Sequence, residues 1–198
     1  MITILLALAA VVGMNWPVLR AQTQKTTALN NMRTIGAALR LYTADHLDTL
    51  PRRVSEGDKW PKLLSEYMDG TQAYAAVGDP NNFIAQKTDP LSNKRNNTSY
   101  IMNGFSDVGA YKNQEVAVRM MQIEHPSETI LFGTPKSGST HFYMDLVEGD
   151  NGNHVDVLNL ELYEHGSTYT FADGSARYIL RQNYDHRMWL VNRDFTLP

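Results

Sequence analysis

From Met1 to Leu19 the chain carries no charge, and it then runs, with no strong turn signal, into an amphipathic stretch that ends near Leu50. Twelve of the first nineteen residues are large and apolar: Met1, Ile2, Ile4, Leu5, Leu6, Leu8, Val11, Val12, Met14, Trp16, Val18 and Leu19. At about 1.5–3 kcal/mol each, keeping them in water costs on the order of 20–35 kcal/mol, more than the whole stability of an ordinary domain. The segment therefore needs a bilayer, another protein or copies of itself. Gly13, Asn15 and Pro17 lie close together within it and predict a kink or a short melted segment near Met14 to Trp16.

From Ala28 onward Leu29, Met32, Ile35, Gly36, Leu39, Tyr42 and His46 recur at spacings of three and four, which lays one apolar stripe along a helix. Lys25, Arg33, Arg40 and Asp45 fall off that stripe. Pro51 cannot continue a helix and disfavours a helical Leu50, so the helix is expected to stop between Asp45 and Asp48. An unbroken helix of that length measures about 70 Å, whereas a compact head built from the remainder is about 40 Å across. Roughly half of the helix is therefore expected to project, bare and apolar, and the chain divides into residues 1–50, an assembly or membrane helix, and residues 51–198, a head.

The head reads as α+β. Trp60 to Met68 opens with a proline in first-turn position and repeats apolar groups at helical spacing, up to the breaker Asp69-Gly70. Residues 71–97 read as loop. Short strands are expected at Ser99 to Met102, Val116 to Met120, Thr129 to Phe132, Thr140 to Leu146, Val155 to Leu162, Tyr169 to Phe171 and Ala176 to Leu180. A helix first and strands afterwards argue for an antiparallel sheet with the amphipathic half of the helix packed on it. Between the last two strands, Asp173-Gly174 predicts a two-residue hairpin turn with both residues left-handed, and makes Asp173 a turn residue before a catalytic acid.

The formal charge of −3 gives no electrostatic case for a nucleic-acid partner, and the absence of cysteine excludes disulfides, thiolate zinc sites and c-type haem attachment. The six histidines form no His-x-x-x-His pair or His-Glu-x-x-His helix, and no Gly-x-Ser-x-Gly elbow is present, so nothing points to an enzyme. His165 is expected to bond a backbone carbonyl near the Asp173-Gly174 hairpin. The oxygen-rich stretch holding Asp145, Glu148, Asp150, Asn151, Asn153 and Asp156 reads as a solvated acidic loop, with calcium ligation by Asp150, Asn151, Asn153 and Asp156 as the alternative; no other cofactor is implied. Asn96 and Asn97 head two overlapping glycosylation sequons. The aromatics Tyr100, Phe105, Tyr111, Phe142, Tyr143 and Tyr163 read as sheet core.

Taken in order, several pieces resemble the pilin-like and pseudopilin-like proteins of the prepilin type. They are Asn30 to Leu39 with Tyr42 behind, Leu50-Pro51, Trp60 to Tyr67, Ser99 to Asn103, Pro126 to Leu131, and His165 followed by Phe171-Ala172-Asp173-Gly174. The family signature sets nine residues between the histidine and Asp-Gly; here seven intervene, and no glutamate stands near the start of the helix. The resemblance implies a lollipop shape and a leader removed by a prepilin peptidase, and it permits N-methylation of Met1. It further implies insertion into the inner membrane and helical assembly into an extracellular filament at the cell surface by pilus or secretion machinery. The assembly contacts would be made by Met1, Ile4, Leu5, Leu8, Val11, Val12, Trp16 and Pro17, with His165, Asp173 and Gly174 as the signature. Two other readings share the same helix: a membrane-anchored binding module, such as a minor pseudopilin of a type II secretion-like system, and a secreted hydrolase with a cleaved signal peptide.

Overall fold

The computed structural model describes residues 2–53, 57–70, 72–76, 98–109, 117–137, 139, 141–146 and 154–195, without the side chains of 2–15, 72, 154 and 155. Helix α1 spans Ile2–Asp45 with Pro17 inside it. The backbone stays helical through Met14 to Trp16 and does not melt, because a single proline removes one hydrogen bond from a ladder that continues on both sides. The expected stripe is the buried one: Met32, Ile35 and Leu39 are shut off from solvent together with Ala28 and Ala38, while Arg33, Arg40 and Asp45 face outward. The helix ends within the expected window through two consecutive left-handed residues, Leu47 (φ 52°) and Asp48 (φ 63°). The chain is then pinned as it leaves, since Leu50 N donates to Val118 O at 2.9 Å and Met120 N to Asp48 O at 2.9 Å.

Five strands form one sheet in the order β3-β1-β2-β4-β5, with β1 Ile101–Asn103, β2 Ile130–Gly133, β3 Tyr143–Met144, β4 Gly166–Phe171 and β5 Ala176–Leu180. Three of the four pairings are antiparallel, but β1 and β3 run parallel, with Met102 opposite Tyr143. The sheet is therefore mixed, where the sequence pattern predicts an antiparallel one. The expected strand at Val155 to Leu162 is also absent: His154–Val157 is a short helix, α3, and Leu158 makes only an isolated bridge to Pro135. Of the expected strand Val116 to Met120, Val116 lies outside the described residues, and the rest contributes a single bridge, Arg119 to Thr49, before a 3-10 turn at Met120–Gln122. Both segments are apolar because they cover the sheet and the helix end, and a covering segment shows the same alternation as a strand.

Strand β4 is buried along its whole length because both faces of the sheet are covered. On one face α1 meets Thr170, whose Oγ1 donates to Met32 O at 2.9 Å across 138 residues of sequence. A Cβ on Gly36 would stand 3.0 Å from Thr170 Cγ2 and 3.1 Å from Gly174 O, so the absence of a side chain sets how closely helix and sheet approach. Helix α2, Trp60–Leu64, fills the rest of that face. Trp60 packs edge-on to Phe132 at 4.9 Å, and Tyr74 donates its hydroxyl proton to Pro61 O at 2.6 Å. On the opposite face Ile101, Ile130, Tyr169 and Phe171 pack with Leu158, Leu160, Trp189 and Leu190. The expected core aromatics Tyr100, Phe105, Tyr143 and Tyr163 are buried and Phe142 is partly so, while Tyr111 lies outside the described residues.

Leu39 and Leu41 sit two positions apart on α1, the first buried against the sheet and the second 55% exposed. Leu39→Ala should cost about 2–5 kcal/mol through lost burial and the cavity left behind. Leu41→Ala should stay within about 0.5 kcal/mol. Chemical denaturation of the two variants checks the difference.

Candidate functional site

The surface that the sequence marks for assembly begins where α1 leaves the head. Trp16, Pro17, Val18, Leu19 and Arg20 are all exposed, the three large apolar groups by 61, 63 and 58%. Met1 and the side chains of Ile4, Leu5, Leu8, Val11 and Val12 lie outside the described residues. Contact with the head starts at Lys25, whose ammonium stands 4.9 Å above the Tyr178 ring, and is complete at Ala28. The boundary between bare and docked helix therefore falls between Arg20 and Ala28. Arg20, Lys25, Arg33 and Arg40 stand in α1 before its first acid, Asp45, so the helix is cationic along most of its length. Among the described residues, no helix is long and apolar enough to cross a membrane.

His165 and Asp173 flank β4 at opposite ends and form no common site. His165 is exposed, and among the described residues its ring meets no carbonyl near the Asp173-Gly174 hairpin; its own backbone carbonyl accepts from Arg181 N at 2.7 Å. Glu164 and His165 are both left-handed (φ 35° and 64°), and Tyr163 and Gly166 exchange backbone hydrogen bonds of 2.9 and 3.0 Å around them. That is the two-residue hairpin turn the sequence predicts at Asp173-Gly174. At the latter place a three-residue loop, Ala172 to Gly174, joins β4 to β5, with Gly174 N donating to Phe171 O at 2.9 Å and only Gly174 left-handed (φ 78°). Asp173 is held otherwise: its N–H donates to Pro126 O, and its carboxylate accepts from Ser175 N at 2.9 Å and Ser175 Oγ at 2.7 Å. Asp173 is thus a turn residue, in a different turn. The Arg40 guanidinium lies over Gly174, 2.4 Å from where a Cβ would be, which ties α1 to the hairpin.

Asp150, Asn151 and Asn153, and likewise Asn96 and Asn97, lie outside the described residues. Asp156 is exposed on α3. Among the described residues no three His, Cys, Asp or Glu side chains are grouped to hold a metal ion. Asp145 is no part of a solvated loop: it is buried and pairs with Arg53 at 2.6 Å, which fastens the segment after α1 to the end of β3. A second buried carboxylate, Asp107, went unsignalled in the sequence. Its Oδ2 accepts from Val191 N at 2.6 Å and Asn192 N at 2.7 Å, holding the C-terminal segment in place. Asn103, also buried, donates to Ile130 O at 2.9 Å and Trp189 O at 2.7 Å, so the last residue of β1 anchors two neighbours at once. Asp107 and Asn103 bind backbone groups, and Asp145 binds the Arg53 side chain.

No protein family matches this chain, and neither a characterised protein nor a solved structure shows detectable similarity to it.

Burial pushes the Asp107 carboxyl above the ordinary value of 3.8, against the opposing pull of the two backbone N–H donors. Between 3.8 and that raised value the folded chain holds a proton that the unfolded chain has lost, so this group's contribution to stability falls as pH rises through the window and levels off above it. Asp107→Asn, which keeps an acceptor for both amides, should remove that slope. Asp107→Ala should cost about 1–3 kcal/mol at all pH values by orphaning the amides. Denaturation of the parent and both variants from pH 4 to 7 measures the difference.

Proposed function

We propose that this chain is the structural subunit of an extracellular pilin-like filament, lollipop-shaped and polymerising through its N-terminal helix. The observation that carries the reading is the bare turn Trp16 to Leu19, placed just before the helix docks and continuous with the uncharged run from Met1. Three large apolar groups in water cost on the order of 5 kcal/mol, and the nine before them in sequence raise that severalfold. Side-by-side burial of such helices in a polymer removes the cost for every subunit but those at the ends.

On this reading the chain is held in the inner membrane by the same helix after processing by a prepilin peptidase. Pilus or secretion machinery then extracts it into a helical homopolymer at the cell surface, with residues 51–198 turned outward. The role is mechanical and calls for no catalytic group, cofactor or nucleic acid. The competing use of the helix, as the anchor of a monomeric binding module, is separated by the oligomeric state alone.

Val11→Asp places a charge in the middle of the apolar run, where a polymer core offers neither water nor a partner. Filaments should vanish from sheared surface fractions viewed by electron microscopy, while Met121→Gln, at an exposed turn of the head, should leave them intact. Normal filaments from the Val11→Asp chain would favour the anchored monomer.

A further inference from the structure

On the side of α1 turned away from the sheet, the helix and the segment after α2 enclose an open groove of about 730 Å³ that no described residue fills. Its floor is Thr34, Ala37 and Leu41, spaced by three and four on α1, and its far wall carries Tyr67 with the exposed carboxylates of Glu66 and Asp69. Two basic groups of the same chain are engaged locally: Arg33 bonds Asn30 Oδ1 on its own helix at 2.9 Å, and Lys62 pairs with Asp58 at 2.8 Å. The groove is thus shallow and mixed at its base, where Asn31 and Thr34 stand beside Ala37 and Leu41, and acidic at its rim. Small side chains on the floor let another helix come near the 8–10 Å interaxial distance of packed helices.

We infer that this groove seats the Trp16 to Arg20 turn of a second copy of the chain, with Val18 and Leu19 against Ala37 and Leu41, and Arg20 between Glu66 and Asp69. The inference rests on the filament reading and names the contact it requires. Charge complementarity chooses the occupant: α1 has no acid before Asp45, Arg20 is exposed on the bare turn, and the groove supplies two carboxylates. A chain cannot fill its own groove, because residues 18 and 41 of one helix lie about 35 Å apart. The surfaces that meet are different patches of the molecule, so the contact runs head to tail and, unless the rotation closes a ring, generates a filament. For parallel helices the step between the contacting copies is about 30 Å along the axis.

The chain has no cysteine, which makes cross-linking free of background. Full-length chain carrying Val18→Cys and Leu41→Cys, both at exposed positions, is assembled, gently oxidised and run on a denaturing gel. Because a disulfide needs Cα atoms within about 7 Å, the paired variant should give a ladder of linked multimers and each single variant none. Arg20→Glu alone, or Glu66→Arg with Asp69→Arg, should cut the assembled fraction about tenfold, and all three together should restore it. Filaments that form from the parent chain, give no ladder and ignore the charge reversals would overturn this contact and leave the filament reading standing. Dimers from Val18→Cys alone, as abundant as the ladder, would replace it by a symmetric stem-to-stem contact. A parent chain that stays monomeric would sink both.

Discussion

The docking of α1 between Ala28 and Tyr42 onto β4 and β5 is the interaction on which the rest of the structure depends. Buried Met32, Ile35 and Leu39 form the centre of one core, Gly36 sets the distance to the sheet, and Thr170 closes a hydrogen bond to the helix backbone. Each large apolar group so placed contributes about 1.5–3 kcal/mol. The same helix, earlier in the chain, presents Trp16, Val18 and Leu19 to solvent. One continuous helix thus carries a docked half and, at Trp16 to Leu19, a bare turn.

The head closes around that helix through long-range polar contacts that fix its loops. Arg53 and Asp145 join the segment after α1 to the end of β3, Asn103 ties β2 to the 3-10 turn His186–Trp189, and Asp107 caps the amides of Val191 and Asn192. With short strands and few regular ladders, these buried side chains take over hydrogen bonding that longer strands would supply. Removing one partner from such a set leaves a desolvated group behind, which is why they weigh more in stability than surface pairs of similar length.

The helix and its stripe were legible because Met32, Ile35, Leu39 and Tyr42 obey a period that one packed face imposes. The second helix at Trp60 and the strands at Ile130, Tyr169 and Ala176 were legible from punctuation by proline, aspartate and glycine, although the strand at Tyr169 begins three residues earlier, at Gly166. What was illegible depends on partners far off in sequence. The parallel β1–β3 pairing has no local signature, and Val155 to Leu162 is apolar as a cover, not as a strand. Asp173-Gly174 carried the sequence signal of a two-residue turn, yet Pro126 and Ser175 hold Asp173 in another conformation. The two-residue turn instead falls on Glu164-His165, where no glycine announces it. Asp145 read as part of a solvated acidic loop and Asp107 gave no signal, because their partners Arg53, Val191 and Asn192 lie far off in sequence. For the candidate site, the bare turn Trp16 to Leu19 was legible as part of a run without charge, whereas the acidic groove exists only once Glu66 to Asp69 and Ala73 fold beside α1.

The account makes the head complete in itself and the stem an unsatisfied addition. Thermal unfolding of a chain starting at Thr23 tests that most directly, since it keeps Lys25 and the whole docked half of α1 and discards the bare one. The account predicts a soluble monomer with one cooperative transition. Aggregation, or the loss of a cooperative transition, would contradict it, because the stem would then belong to the fold of its own chain and would not be free for another.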